Sequence, residues 1–388
     1  MLIPYLRIAC ELNNFESYLV VFAFYIATVV MALPSSWIIK KWGLRGSMTI
    51  GLLMMALGSA LFIPAALTRT YFTFLMGLFV IGSGMTVLQT AANPYITFIG
   101  PLASAAKRIS IMGIFNKTAG IISPLILGIF ILRENEDIEA RLQTMDAIQR
   151  VAQLDELASR VILPYLGLTV ILVGLSLYLR YSGLPEIDTE QTNQDTQINK
   201  GAKTRLSQFP NLVLGVISLF LYIGVEVIAG DTIISYGISQ GIPFSEAKIF
   251  TSFTLSAMLL GYILGIILMP RYISQEKALQ ISALLGLLFT LLAIMTEGFT
   301  SVIFIALLGL ANALMWPAHW PLAIRGLGRF TSKGSSLLIM AISGGALIPL
   351  VYGMLADALD TKQAYWLLIP CYLFIGYYAL KGYKKETW

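Results

Sequence analysis

Long uninterrupted runs of apolar residues dominate the 388-residue chain. A run of about 18 residues, at about 1.5 Å per residue, is long enough to cross the ~30 Å hydrocarbon layer as a helix. Eleven such runs occur, at residues 17–39, 47–68, 71–95, 108–132, 160–182, 211–238, 247–269, 278–296, 300–324, 334–356 and 363–383. They lack the alternation of barrel strands, so the pattern predicts an all-α integral membrane protein.

The composition excludes several classes of protein. Only 12% of the residues are charged and 57% are hydrophobic, whereas a soluble domain carries about 25% charged residues. We therefore expect neither a water-soluble enzyme, a disordered protein nor a nucleic-acid binder. The two cysteines, Cys10 and Cys371, lie in apolar surroundings and give no disulfide framework. No metal, cofactor or nucleotide motif is present, and we expect none of these groups to be bound.

Lys and Arg residues are unevenly distributed over the predicted loops. If loop 39–46 is cytoplasmic and the spans alternate, the cytoplasmic side carries about twice as many Lys and Arg residues as the other side. The Asp and Glu residues, in contrast, are more numerous on the side opposite the cytoplasm. This distribution predicts a multi-pass protein whose C-terminus is cytoplasmic.

The first ten residues, Met1–Cys10, are apolar but span only about 15 Å as a helix. Polar and charged residues follow them from Glu11 onward. We interpret them as the last third of a first helix that is largely missing, which gives about eleven full spans in a twelve-helix layout. The alternative is a natural eleven-helix protein.

One polar segment, residues 184–210, interrupts the apolar pattern. It is rich in Thr, Gln, Asn and Asp and has no hydrophobic period, which predicts a flexible cytoplasmic linker. It separates an N-terminal helix bundle, residues 1–183, from a C-terminal helix bundle, residues 211–388. Residues 133–159 have apolar residues at helical spacing, which predicts a short amphipathic surface helix.

Charged residues inside apolar runs are the first functional candidates, because a central charge costs roughly 2.5–3.5 kcal/mol. Glu226 can take up and release a proton in a low-dielectric layer, so we predict that it couples a proton. Lys117 is its most economical counter-charge, although it could instead form a purely stabilising ion pair. Asp231 is a second candidate for proton coupling. Alternatively, it is a solvent-exposed residue at the outer end of its span. His319 could titrate, but a lone histidine is more often a hydrogen-bonded packing residue.

Amide and aromatic side chains inside the spans suit a sugar. Each amide offers a donor and an acceptor to hydroxyl groups, and aromatic rings stack on the apolar faces of sugar rings. The predicted substrate-binding residues are Gln89, Asn93, Asn116, Lys117, Tyr222, Asn312, Trp316 and Trp320. The amides could instead bond neighbouring helices, and the tryptophans could be interfacial anchors.

Three stretches carry a family resemblance: LQTAANPYITFIGP (88–101), KRISIMGIFNKTAG (107–120) and YIGVEVIAGD (222–231). They resemble the fucose–galactose–glucose:proton symporter family of the major facilitator superfamily, and the likeness runs over nearly the whole chain. The resemblance implies two six-helix bundles that rock around a central site. It also implies a bacterial inner-membrane protein, expected to be a monomer, whose partners are a small sugar, a proton and the lipid bilayer.

The chain also departs from the family pattern. Gln89 stands where the fucose permease branch has an acidic residue, and an acidic residue of the first helix is absent. Gly113 replaces a sugar-contacting amide, whereas Asn116 matches. The family's proton site is therefore not carried over intact, and Glu226 as the coupling group is an inference from its position.

The superfamily's loop motif after the second span is degenerate. Ser36 occupies the position of the motif's glycine, and Lys40 occupies the position of its aspartate. The gating salt bridge of this loop is therefore expected to be altered. The residues that we assign to the gating loop are Lys40, Lys41 and Arg45.

These features together predict a secondary active transporter that imports a neutral hexose with a proton by alternating access. A non-transporting membrane sugar sensor is one alternative. A proton-coupled drug antiporter is another, and it would have a larger apolar cavity and no amide pairs.

Overall fold

The computed structural model describes residues 6, 9–12, 14–131, 145–187 and 205–388, and the regular elements among these residues are all helical. Eight helical stretches of this part of the chain are long and apolar enough to cross a bilayer. The all-α membrane class is confirmed. The count of eleven spans stays a prediction, since neighbouring runs merge; runs 17–39 and 47–68, for example, share the stretch Phe22–Thr68.

The helices are numbered here in chain order. Before the linker they are α1 (Asn14–Ala60), α2 (Phe62–Thr68), α3 (Tyr71–Phe98), α4 (Ala105–Ile131), α5 (Ala147–Ser159) and α6 (Ile162–Tyr181). After it they are α7 (Pro210–Asp231), α8 (Ile233–Ser239), α9 (Phe244–Ala247), α10 (Phe250–Leu268), α11 (Gln275–Met295), α12 (Gly298–Ala313), α13 (Met315–Ala323), α14 (Thr331–Met340), α15 (Gly344–Ala358) and α16 (Leu368–Leu380).

Helix α1 is broken at Gly43. A straight helix of its 47 residues would be about 70 Å long, more than twice the hydrocarbon thickness. Gly43 has a φ of 69° and a ψ of −179°, a conformation that a residue without a Cβ adopts at little cost. The two arms of α1 on either side of Gly43 correspond to the first two predicted runs.

Contacts divide the chain into two compact units. The first unit comprises residues 1–92 and 119–186, and the second comprises residues 93–118 and 187–388. The second unit therefore contains the end of α3 and the first half of α4 together with α7 to α16. This grouping places Lys117 in the same unit as Glu226.

In the first unit, the predicted surface helix is confirmed for residues 147–159. Asp146 caps the N-terminus of α5, where its Oδ1 accepts a hydrogen bond from the Gln149 N–H at 2.8 Å. The helix buries Leu154 and Leu157 on one face. Residues 132–144 and 188–204, which hold the rest of the predicted surface helix and most of the linker, lie outside the described residues.

Helix α6 of the first unit presents large apolar side chains outward. Leu163 is 63% exposed and Val170 is 64% exposed. A contiguous apolar surface of this kind is rare on a soluble monomer. It suits contact with lipid tails.

In the second unit, two polar side chains fix the start of α4. Gln275 accepts the Ala106 N–H at 3.1 Å through Oε1 and donates to the Leu102 carbonyl at 2.8 Å through Nε2. The Arg108 guanidinium donates to backbone carbonyls at the end of α3 and in the turn that precedes α4, among them those of Thr97 at 2.7 Å and Pro101 at 3.2 Å. These bonds tie the turn and α4 to α11, and so determine where the side chains of α4 lie.

Helix α7 is the central helix of the second unit. Pro210 begins it, a position where the missing N–H costs nothing. It packs against α15 and α16. Gly224 allows the close approach of α15, because a Cβ at this position would collide with the Ile348 side chain.

Candidate functional site

A partly buried ion pair joins α4 to α7. The Lys117 Nζ donates to the Glu226 Oε1 at 2.6 Å. The two side chains are only 20% and 16% exposed. The counter-charge that the sequence predicted for Glu226 is therefore confirmed as a contact.

The second carboxylate oxygen of Glu226 also has a partner. The Tyr222 hydroxyl donates to the Glu226 Oε2, and Tyr222 is only 1% exposed. The two residues are four apart and lie on one face of α7. Tyr222, which the sequence predicted as a substrate ligand, therefore holds the carboxylate with its hydroxyl in this structure.

Two further tyrosines lie within electrostatic range of the carboxylate. Tyr262 on α10 and Tyr372 on α16 interact electrostatically with Glu226. Tyr262 occupies the space beside Gly113, where an added Cβ would lie 2.6 Å from the ring atom Cε1. The missing side chain at residue 113 is thus what admits the Tyr262 ring.

Asp231 and Asn116 are exposed members of this region. Asp231 is the last residue of α7, and its exposure agrees with the alternative of a solvent-exposed residue. Asn116 neighbours Lys117 on α4 without being buried. Both remain accessible to solvent or a solute.

Two buried polar groups lie where α12 passes into α13. Asn312 is fully buried, and its Oδ1 accepts from the Tyr372 hydroxyl at 3.0 Å. The Asn312 Nδ2 and the Trp320 Nε1 have no hydrogen-bond partner among the described residues. Helix α12 ends at Ala313, where the ring of Pro317, four residues on, would clash with the carbonyl of a continuing helix.

The two tryptophans of α13 contact each other. The ring centroids of Trp316 and Trp320 are 5.5 Å apart, with a tilt of 31° between the planes. Trp316 is partly exposed and Trp320 is fully buried. Only the Trp316 face is therefore open to a solute in this conformation.

His319 has the contacts of a packing residue. It is fully buried. Its Nδ1 lies 2.9 Å from the Met315 carbonyl and its Nε2 lies 2.6 Å from the Ser218 hydroxyl. Both ring nitrogens therefore have partners within the fold.

Gln89 and Asn93, the predicted amide pair of α3, differ in burial. Asn93 is 2% exposed and belongs to the second unit. Gln89 is partly exposed and belongs to the first unit. Both stay predictions as substrate ligands.

The predicted gating loop surrounds Gly43 in the first unit. Lys40 and Lys41 are exposed. The Arg45 guanidinium donates to the Leu184 carbonyl at 3.0 Å, and the Arg45 N–H donates to the Glu186 Oε1 at 3.3 Å. Glu186 thus brings a carboxylate to a loop whose own aspartate position is Lys40, and the gating role stays a prediction.

Some residues that support the site through contacts between helices were not predicted from the sequence. Ser218 precedes Tyr222 by four residues, so helical spacing could have found it. The phenols of α10 and α16 give no such signal, because only the packing of helices brings them to Glu226. The residues missed are Ser218, Tyr262 and Tyr372. Among the described residues, no group of His, Cys, Asp or Glu side chains could hold a metal ion.

Comparison with known proteins gives consistent matches. Residues 1–349 match the profile of the Major Facilitator Superfamily. A glucose/galactose transporter of Brucella abortus is 32% identical over 99% of this chain and 90% of its own. An L-fucose-proton symporter of Escherichia coli is 27% identical over 100% of this chain and 89% of its own. The crystal structure of the transporter FucP in the outward conformation superposes with a TM-score of 0.87 at 26% identity, covering 97% of this chain and 92% of that one.

Proposed function

The chain belongs to the major facilitator superfamily, and on that premise we propose that it imports a neutral hexose together with a proton by alternating access. The names of its relatives support a sugar and a proton as the transported species. The observation that carries the proposal is the partly buried ion pair between Lys117 and Glu226, with Tyr222 as a third partner.

An ion pair that is largely removed from water contributes little net free energy to folding. Removing two charges from water costs several kcal/mol per ion, and an apolar pair of similar volume is often as stable. An intramembrane carboxylate is retained more readily where its charge changes during function. A proton on Glu226 cancels its charge and releases Lys117, which links protonation to the contact between α4 and α7.

The sugar would be held by the amide and aromatic groups that the sequence predicted. Asn312 Nδ2 and Trp320 Nε1 are unpartnered donors among the described residues, and a hydroxyl oxygen could accept from either. Trp316 offers a partly exposed ring face. Asn116 lies exposed beside Lys117 and can reach a solute.

Replacing Asn312 with alanine is expected to weaken sugar binding about tenfold, as the loss of one or two hydrogen bonds requires. The measurement is the half-saturating sugar concentration in exchange of labelled sugar. The matched control is Gln280→Ala, since the Gln280 amide donates to the Ala379 carbonyl at 2.9 Å between α11 and α16. An unchanged value for Asn312→Ala, or an equal change in the control, would contradict the assignment.

The finer architecture belongs to the same proposal. About eleven full spans form two bundles, residues 1–183 and 211–388, joined by a cytoplasmic linker. The C-terminus is cytoplasmic, and the protein is a monomer of the bacterial inner membrane. The distribution of Lys and Arg supports this orientation.

Uptake into proteoliposomes tests the function. The purified protein, with labelled glucose, galactose or fucose outside, is expected to accumulate sugar under an inward proton gradient and to lose it when an ionophore collapses the gradient. Binding of sugar without any flux would show a sensor and contradict the proposal. Proton-driven export of an apolar cation without sugar flux would contradict it in favour of an antiporter.

A further inference from the structure

The single histidine of the chain is held by contacts at both ring nitrogens. A carbonyl oxygen only accepts, so the His319 Nδ1 carries a proton and donates it to the Met315 carbonyl at 2.9 Å. The Nε2 lies 2.6 Å from the Ser218 hydroxyl, and in the neutral ring it accepts from that hydroxyl. Because one neutral tautomer satisfies both contacts, the ring has a fixed orientation on α13.

Two tyrosine rings stack on the His319 ring. The Tyr378 centroid lies 5.3 Å away, with 3° between the planes. The Tyr222 centroid lies 5.9 Å away, with 21° between the planes. The three rings come from α16, α13 and α7, so the stack links three helices of the second unit.

The stack ends next to the ion pair. Ser218, Tyr222 and Glu226 follow one another at four-residue steps on one face of α7. His319 bonds the first of them and stacks on the second, and the hydroxyl of the second donates to the carboxylate of the third. The orientation of the Tyr222 ring therefore determines where its hydroxyl points.

We propose that His319 is a positioning residue for proton coupling: its ring holds Tyr222 in the orientation that donates to Glu226, and so sets the pH at which that carboxylate takes up its proton. This inference rests on the proposed function. It assigns no proton transfer to His319 itself.

The sign of the effect follows from the hydrogen bond. Tyr222 donates to the ionised carboxylate and stabilises the charged form. When Tyr222 loses its orientation, the carboxylate accepts a proton more readily. Half-maximal proton-driven uptake then moves to a higher pH.

Other groups that interact with Glu226 are left chemically unchanged when His319 is replaced. Lys117 comes from α4, Tyr262 from α10 and Tyr372 from α16, and Asp231 lies on α7 itself. Helix α15 contributes the apolar Ile348 beside Gly224. A change of pH profile in a His319 variant therefore reports the contribution of Tyr222.

The test compares two apolar replacements in the full-length protein in proteoliposomes. His319→Leu removes the aromatic ring and suits a buried site, whereas His319→Phe keeps a ring for stacking and also lacks the nitrogens. We expect Tyr222→Phe to raise the pH of half-maximal uptake by about one unit, the effect of one hydrogen bond to a charged group. His319→Leu is expected to give at least about half of this shift, and His319→Phe to restore most of the wild-type profile.

The control is Tyr236→Phe, which removes another buried phenol, one that bonds Ser301, and is expected to leave the pH profile unchanged. A wild-type profile in His319→Leu, or equal shifts in the Leu and Phe variants, would overturn the positioning role. These outcomes presuppose proton-driven uptake by the wild-type protein. Its absence there would instead refute the proposed function, so the two failures are distinguishable.

Discussion

Replacing Glu226 with glutamine is expected to abolish proton-driven sugar accumulation while leaving sugar exchange largely intact. Glutamine resembles the protonated carboxyl in shape and charge but cannot release a proton. The carrier can then still bind and exchange sugar, but the gradient no longer drives net uptake. We expect accumulation to fall at least about tenfold, which corresponds to a loss of about 1.4 kcal/mol or more of coupling free energy, while counterflow of labelled sugar stays within a few fold of wild type.

A matched control is available on the same unit. Glu297 pairs with Lys362 at 3.7 Å, but its side chain is 88% exposed. Glu297→Gln removes a carboxylate without removing a buried one, and it should leave accumulation unchanged. Normal accumulation in Glu226→Gln would refute Glu226 as the coupling group, whatever the effect of the control.

Replacing Lys117 with methionine is expected to destabilise the protein substantially. The variant leaves the Glu226 carboxylate among helices without its cation. Breaking a fully buried pair costs about 3–5 kcal/mol; because these side chains keep 20% and 16% exposure, we expect about 2–3 kcal/mol. The measurement is thermal unfolding in detergent, with an expected fall in melting temperature on the order of 5 °C.

The double variant Lys117→Met/Glu226→Gln separates stability from coupling. It removes both charges, so most of the lost stability should return while proton-driven accumulation stays absent. Lys362→Met at the exposed pair is the control and should cost less than about 1 kcal/mol. If Lys117→Met is as stable as that control, the ion pair does not contribute in the way that we describe.

The sequence identified the two charged residues of the candidate site but not the contact between their helices. Hydropathy alone identified Glu226 and Lys117, because a charge in an apolar run is costly wherever the helix lies. Helical spacing placed Tyr222 on the face of Glu226. The contact between α4 and α7 could not be predicted from one chain, since spacing within a helix says nothing about which helix packs against it.

The fold was likewise predicted only in part. Composition and run length predicted helices, and the positions of the runs agree with the described helices. The kink at Gly43, which separates the two arms of α1, was not predicted, because nothing in the apolar pattern requires a left-handed backbone there. The role of His319 also depends on rings from α7 and α16 that only packing reveals. Its burial and its two partners favour the packing alternative over a titrating group.

The ion pair has a consequence for how the chain is made. Lys117 precedes its partner by 109 residues, so at about 5–20 residues per second the ribosome delivers the carboxylate some 5–20 s after the ammonium. During that interval the Lys117 side chain lacks the carboxylate that pairs with it in the folded protein. The helices made before α7 therefore form a folding intermediate in which Lys117 has no partner carboxylate. A nascent chain that stalls at this stage would expose the unpaired charge to a quality-control protease.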